Sequence, residues 1–226
     1  MNRMFAAGIA AGTLIALSTS ASASVSWSYF AGGDAAFNEL TLNGSLERAA
    51  TEGRIGNNGP SGTWELALWE QGGVGTPKDQ AQFVWGNGQA TSFSVVYDGI
   101  STVTYTVGQT TVSWNALAGG FTDIFIRTRS AADSSVLLSN LDFVGSGLNI
   151  GDLSSTGNGD VNYIRISNAG GDFGAFTITG LSTFDWGVQP SNSALAYQFK
   201  FSNVIPAPGA IAVLGLAGLV GRRRRA

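Results

Sequence analysis

The chain has no cysteine and no histidine, and only 12% of its 226 residues are charged. Without cysteine no disulfide can form, so the fold must rest on its own core. Without either residue there is no Ser-His-Asp or Cys-His pair, no thiolate or imidazole metal ligand and no His- or Cys-ligated haem. The low charge contrasts with 44% hydrophobic residues and 32 glycines. Roughly a quarter of residues are charged in ordinary soluble domains. So much glycine beside so many apolar residues points to half-buried strands joined by tight turns.

The N-terminus carries Arg3, an apolar run over 4–17, and a small polar stretch over 18–24. That is the three-part layout of a secretory signal peptide over 1–23, with Ala21 and Ala23 as the small residues of the cleavage site. The run is shorter than the about 20 residues of a membrane span. Export is therefore expected.

The C-terminal segment 204–226 holds Pro206, Ala207 and Pro208 within a motif at 205–208, then an uncharged apolar stretch over 209–221. It ends in Arg222, Arg223, Arg224 and Arg225. A helix over 209–221 is roughly 20 Å long, short of a hydrocarbon core of about 30 Å. The arginines would keep its end on the cytoplasmic side of the inner membrane. Such a transmembrane helix holds a chain for processing and anchors it poorly.

This order of parts resembles the PEP-CTERM sorting signal of exported proteins in exopolysaccharide-making Gram-negative bacteria. Pro206 and Pro208 match its two prolines, Ala207 stands where the family usually has Glu, and Arg222–Arg225 match its arginine cluster. The resemblance implies an exosortase as partner, transient contact with the inner membrane, and a destination in the cell envelope or extracellular matrix.

Between the two ends lies an ectodomain, 24–203, with all fifteen acidic residues and seven basic ones (Arg48, Arg54, Lys78, Arg127, Arg129, Arg165 and Lys200), a net charge of −8. That charge argues against nucleic acid as a partner. Apolar and polar residues alternate with a period of two at Val103–Val107 and Leu195–Phe201. Similar patterning over 63–70, 82–86, 91–98, 110–115, 122–129, 135–144, 161–167 and 174–179 predicts about ten short strands. The expected fold class is all-β, an antiparallel β-sandwich that is jelly-roll-like. Gly108-Gln109 reads as a two-residue hairpin link and Asp98-Gly99 as another reversal. One helix is expected at 45–52, capped by Ser45. The phrases at 31–37 and 169–176 read as similar turns. The patterning around Tyr97-Asp98-Gly99 and Ile126-Arg127-Thr128-Arg129 also resembles the choice-of-anchor type of bacterial β domain, which implies a fold and no activity.

Three chemistries fit the body. Glu65 and Glu70 flank Trp64 and Trp69, and a carboxylate-dependent polysaccharide hydrolase needs two acids across a cleft. Five residues apart on a strand, these two face opposite sides and cannot form that pair. Asp152, Asn158, Asp160 and Asn162 in a glycine-rich segment offer hard oxygens to calcium, and are equally ordinary turn formers. Six tryptophans, Trp27, Trp64, Trp69, Trp85, Trp114 and Trp186, offer stacking surfaces for extracellular polysaccharide, although most are expected in the core. The reading that follows is a non-enzymatic structural or glycan-binding domain without a required cofactor; a secreted hydrolase is the alternative.

Overall fold

The computed structural model describes residues 25–70, 76–115, 117 and 119–204. The expected signal peptide and the sorting motif, apolar helix and arginine cluster lie outside the described residues. Among those described, no helix is long and apolar enough to cross a membrane.

Among the described residues, fourteen strands form two antiparallel sheets packed face to face, and one helix lies against the first. In chain order they are β1 (Val25–Phe30), α1 (Gly33–Leu40), β2 (Glu47–Arg54), β3 (Leu66–Glu70), β4 (Asp79–Ala81), β5 (Ala90–Tyr97), β6 (Val103–Val107) and β7 (Thr110–Trp114). There follow β8 (Asp123–Arg129), β9 (Ser134–Val144), β10 (Leu148–Asn149), β11 (Leu153–Thr156), β12 (Val161–Asn168), β13 (Phe176–Trp186) and β14 (Ala196–Ser202). The first sheet runs β1-β12-β8-β14-β2-β3-β4 and the second β10-β9-β13-β5-β6-β7, with β11 paired to β9. The all-β sandwich expected from the alternation is what the chain forms.

Alternation also explains the core. Ile124 and Ile126 of β8, Tyr197, Phe199 and Phe201 of β14, and Val103, Tyr105 and Val107 of β6 turn inward, and all are buried. At the centre the Tyr105 hydroxyl donates to the Tyr197 hydroxyl at 2.7 Å, which donates to Ser182 Oγ at 3.3 Å. These buried hydroxyls are thus satisfied within the core. Gly53 of β2 lies against the pair: a Cβ there would stand 2.7 Å from Tyr105 Oη and from Tyr197 Cζ.

Two expectations are corrected. Residues 45–52 do not form a helix, because Glu47–Arg54 is a strand between β14 and β3. Its glutamates, alanines and arginines favour helix locally, but the inner positions Ala49 and Thr51 are fully buried and the ladder on both sides decides the outcome. The helix lies instead at Gly33–Leu40, where a turn was expected. Gly32, at φ 94°, stands at its N-cap, and Phe37 is the buried anchor of the helix. The similar phrase at 169–176 has turns and irregular backbone over 169–175 and then enters β13, so the two copies do not share a structure. Segment 82–86 is likewise irregular rather than a strand.

The Gly108-Gln109 link joins β6 to β7, with Val107 opposite Thr110. At the other reversal, Asp98 Oδ1 accepts from the N–H groups of Ile100, Ser101 and Thr102 at 2.8–2.9 Å. Those bonds hold its carboxyl well below the ordinary aspartate range. Where the sheets' edges approach, Asp79 Oδ2 accepts from Ser113 N of edge strand β7 at 2.8 Å, which occupies a donor that would otherwise be open to another chain.

Candidate functional site: two hollows beside helix α1

The outer face of the first sheet, away from the core, is unusually polar. Antiparallel register sets Tyr163, Arg127, Gln198 and Glu52 abreast on β12, β8, β14 and β2. The next outward row holds Arg165, Phe125, Lys200 and Ala50. Helix α1 covers part of this face: Phe37 stacks on Tyr163 with ring centroids 5.4 Å apart and meets Phe125 edge-on at 5.0 Å. Beside the helix remains a groove of about 290 Å³ lined by Asp34, Glu52, Arg127, Arg129, Gln198 and Lys200 among others.

Its charges are held in fixed places. Arg127 donates from Nε to Asp34 Oδ1 and from Nη2 to Asp34 Oδ2, both at 2.7 Å, and the Tyr163 hydroxyl donates to the same Oδ1 at 2.7 Å. Lys200 Nζ donates to Glu47 Oε2 at 3.0 Å and lies 4.9 Å from the centre of the Phe37 ring. Burial alone would raise the Asp34 carboxyl, but the hydrogen bonds from Arg127 and Tyr163 and the charges of Arg127 and Lys200 outweigh it and hold Asp34 below its ordinary range. For Glu52, only 6% exposed, the balance goes the other way. Burial pushes its carboxyl up, against the Arg54 charge and hydrogen bonds with Gln198 and Ser193. Ser193 is itself held by Arg54 Nη1 at 2.8 Å and sits at φ 59° in the loop before β14.

A second hollow of about 410 Å³ lies on the other side of Tyr163, which lines both. Its walls include Tyr29, Phe30, Asp152, Ser154 and Asn162. Tyr29 is 63% exposed, and its hydroxyl donates to the Asp152 carbonyl at 3.0 Å, which fixes the ring at the rim.

Of the residues marked for calcium, Asp152 and Asn162 come together in this second hollow. The Asp152 carboxylate accepts from Asn140 N at 3.1 Å. Asp160 Oδ2 accepts from Thr156 N at 2.9 Å and Asn162 Nδ2 at 3.0 Å, tying the β11–β12 turn, and Asn158 is exposed in that turn. Among the described residues no three acidic side chains gather as a metal cluster. The sorting and cleavage residues lie outside the described residues.

The tryptophans are less available than their number implied. Trp69 and Trp85 are buried, and Trp27, Trp64, Trp114 and Trp186 are half-buried. Trp85 Nε1 donates to the Arg54 carbonyl, and the Arg54 guanidinium lies 3.3 Å from the centre of the Trp64 ring. Glu65 is fully buried and its carboxylate accepts from the N–H groups of Gly56, Asn57 and Asn58, closing that loop. Glu70 is exposed and paired with Lys78 at 2.6 Å, so the two glutamates do different structural work apart from each other.

Sequence inspection singled out neither Tyr29 nor the row Tyr163, Arg127, Gln198, Glu52. The alternation of β14 placed Gln198 and Lys200 opposite the core side chains, but register across four strands is not visible in one strand's pattern. No protein-family model and no curated protein matches the chain.

Proposed function

We propose that this is an exported, exosortase-sorted protein of the cell envelope or extracellular matrix, and that its jelly-roll-like body binds glycan without cleaving it. An N-terminal signal helix would direct export, and a short C-terminal transmembrane helix would hold the chain until its tail is processed. The order of parts in 204–226 supports the sorting, as does the signal-like segment at the other end. The observation that carries the glycan assignment is the exposed face of Tyr29 beside Asp152, Ser154 and Asn162 in one hollow. An aromatic face stacks on the C–H side of a sugar while neighbouring oxygens and amides bond its hydroxyls. Its volume falls in the range of about 300–1,000 Å³ typical of small-ligand sites.

One observation favours a hydrolase: Asp34 and Glu52 line one groove and their carboxyls are displaced in opposite directions. A paired acid and base need such a difference. Asp34, however, is already bound by Arg127 and Tyr163, which leaves it poorly placed to act as nucleophile or base.

The test is expression of the full chain in a Gram-negative host that carries an exosortase and secretes polysaccharide. Mass spectrometry should find the tail removed, and the protein should extract with the polysaccharide. Tyr29→Ala should be processed normally but release readily from the matrix. An intact tail would refute the sorting, and unchanged retention of Tyr29→Ala would refute the glycan assignment.

A further inference from the structure

The groove beside α1 gathers charges of both signs, and most of its cations are already matched by an acid. The body has seven basic residues against fifteen acidic ones, yet Arg127, Arg129 and Lys200 converge here on two acids, Asp34 and Glu52. Arg54, bonded to Ser193 at the rim, adds a fourth cation.

The cations are not equivalent. Arg127 is bound to Asp34, Lys200 to Glu47, and Arg54 to the Trp64 carbonyl and Ser193. Arg129 is exposed, and among the described residues it has no ion-pair partner. Its neighbours in register are Ala196 and Val161, neither of which can meet its charge. A guanidinium in that position presents a planar fork that matches a carboxylate. Around it the groove offers the neutral groups of Asn38, Ser193 and Gln198, which suit hydroxyls better than a bare inorganic anion.

We propose that this groove binds the carboxylate-bearing sugar of an acidic polysaccharide, with Arg129 meeting the hexuronate carboxylate and Gln198, Ser193 and Asn38 meeting its hydroxyls. The proposal rests on the glycan-binding function above and adds a second subsite across Tyr163 from the Tyr29 hollow. Glu52 lies buried at the floor of the same groove, and burial pushes its carboxyl above the ordinary glutamate range against the Arg54 charge.

The experiment is calorimetric titration of the full chain in mild detergent with three probes: an oligogalacturonate, the same oligomer with its carboxylates reduced to hydroxymethyl groups, and inorganic phosphate. The wild type should bind the acidic oligomer about tenfold more tightly than the reduced one, a preference that weakens as salt rises. Arg129→Gln should bind both alike, whereas Tyr29→Ala should weaken both and keep the preference. Circular dichroism checks that each variant is folded. Equal binding of the two oligomers by the wild type, or a preference that survives Arg129→Gln, would overturn the uronate subsite and leave glycan binding standing. Binding of neither oligomer would overturn both proposals. Phosphate displacing the acidic oligomer at equal concentration would reduce the groove to a simple anion site, against the proposal.

Discussion

Arg127 grips Asp34 through two parallel hydrogen bonds of 2.7 Å, and this pair ties helix α1 to the outer face of the first sheet. The arginine is buried, its side chain 9% exposed, while the aspartate is 48% exposed. Breaking a fully buried pair from one side costs about 3–5 kcal/mol, and an exposed pair contributes about 0–1. Asp34→Ala is therefore expected to cost about 1–3 kcal/mol, between these limits, because it strands the Arg127 charge. Urea denaturation checks the value, and amide exchange should show α1 opening before the sheets.

The same groove gives stability a pH dependence with two opposed contributions. Asp34 is held below its ordinary value of 3.8, so its contribution is present above that pH and is lost as pH falls through the depressed value. Glu52 is raised above its ordinary 4.5, so its contribution is complete below 4.5 and is lost as pH rises through the raised value. Asp34→Asn should flatten the acid side of a stability–pH curve, and Glu52→Gln should flatten the decline above 4.5. Melting temperatures from pH 2 to 8 test both signs.

In the core, Tyr105→Phe removes the donor to Tyr197 and is expected to cost about 1 kcal/mol, since Tyr197 keeps its bond to Ser182. Gly53→Ala should cost more, about 1–3 kcal/mol, because the new methyl meets two tyrosines that cannot easily retreat. In Gly53→Ala/Tyr105→Phe the loss should be less than additive, because the phenol oxygen is one of the atoms the methyl meets. Chemical denaturation of the three variants measures this.

Asp79→Ala frees the Ser113 N–H at the edge of the second sheet. The expected outcome is greater self-association at high concentration with little change in stability, followed by light scattering.

In the proposed sorting tail, replacing Arg222–Arg225 with neutral residues should leave the chain unprocessed in a host with exosortase. Normal processing of that variant would count against the role given to the arginines.

The sandwich was legible because inward positions are large and apolar and outward ones small or polar, which writes a period of two into the sequence. It shows over Val103–Val107, buried on one face, and over Leu195–Phe201, where the polar face too is largely covered. β2 was misread because it runs through the middle of the first sheet with buried Glu47 and Glu52 and small Ala49 and Ala50, so its pattern lacks large apolar residues. Helix α1 was missed because eight residues anchored chiefly by Phe37 leave too short a period to register. Of the site, Asp152 and Asn162 were picked out for their oxygens, but Tyr29 and the Arg127–Glu52 row depend on pairings between distant strands. The abundance of tryptophan pointed to stacking surfaces, and the structure uses those rings mainly for packing.

The most direct measurement incubates the full chain with soluble and insoluble polysaccharides and follows bound protein and released reducing ends together. Binding without release, weakened by Tyr29→Ala, is the expected result. Release of reducing ends that is abolished by Glu52→Gln or Asp34→Asn would contradict the account and make the protein a glycosidase.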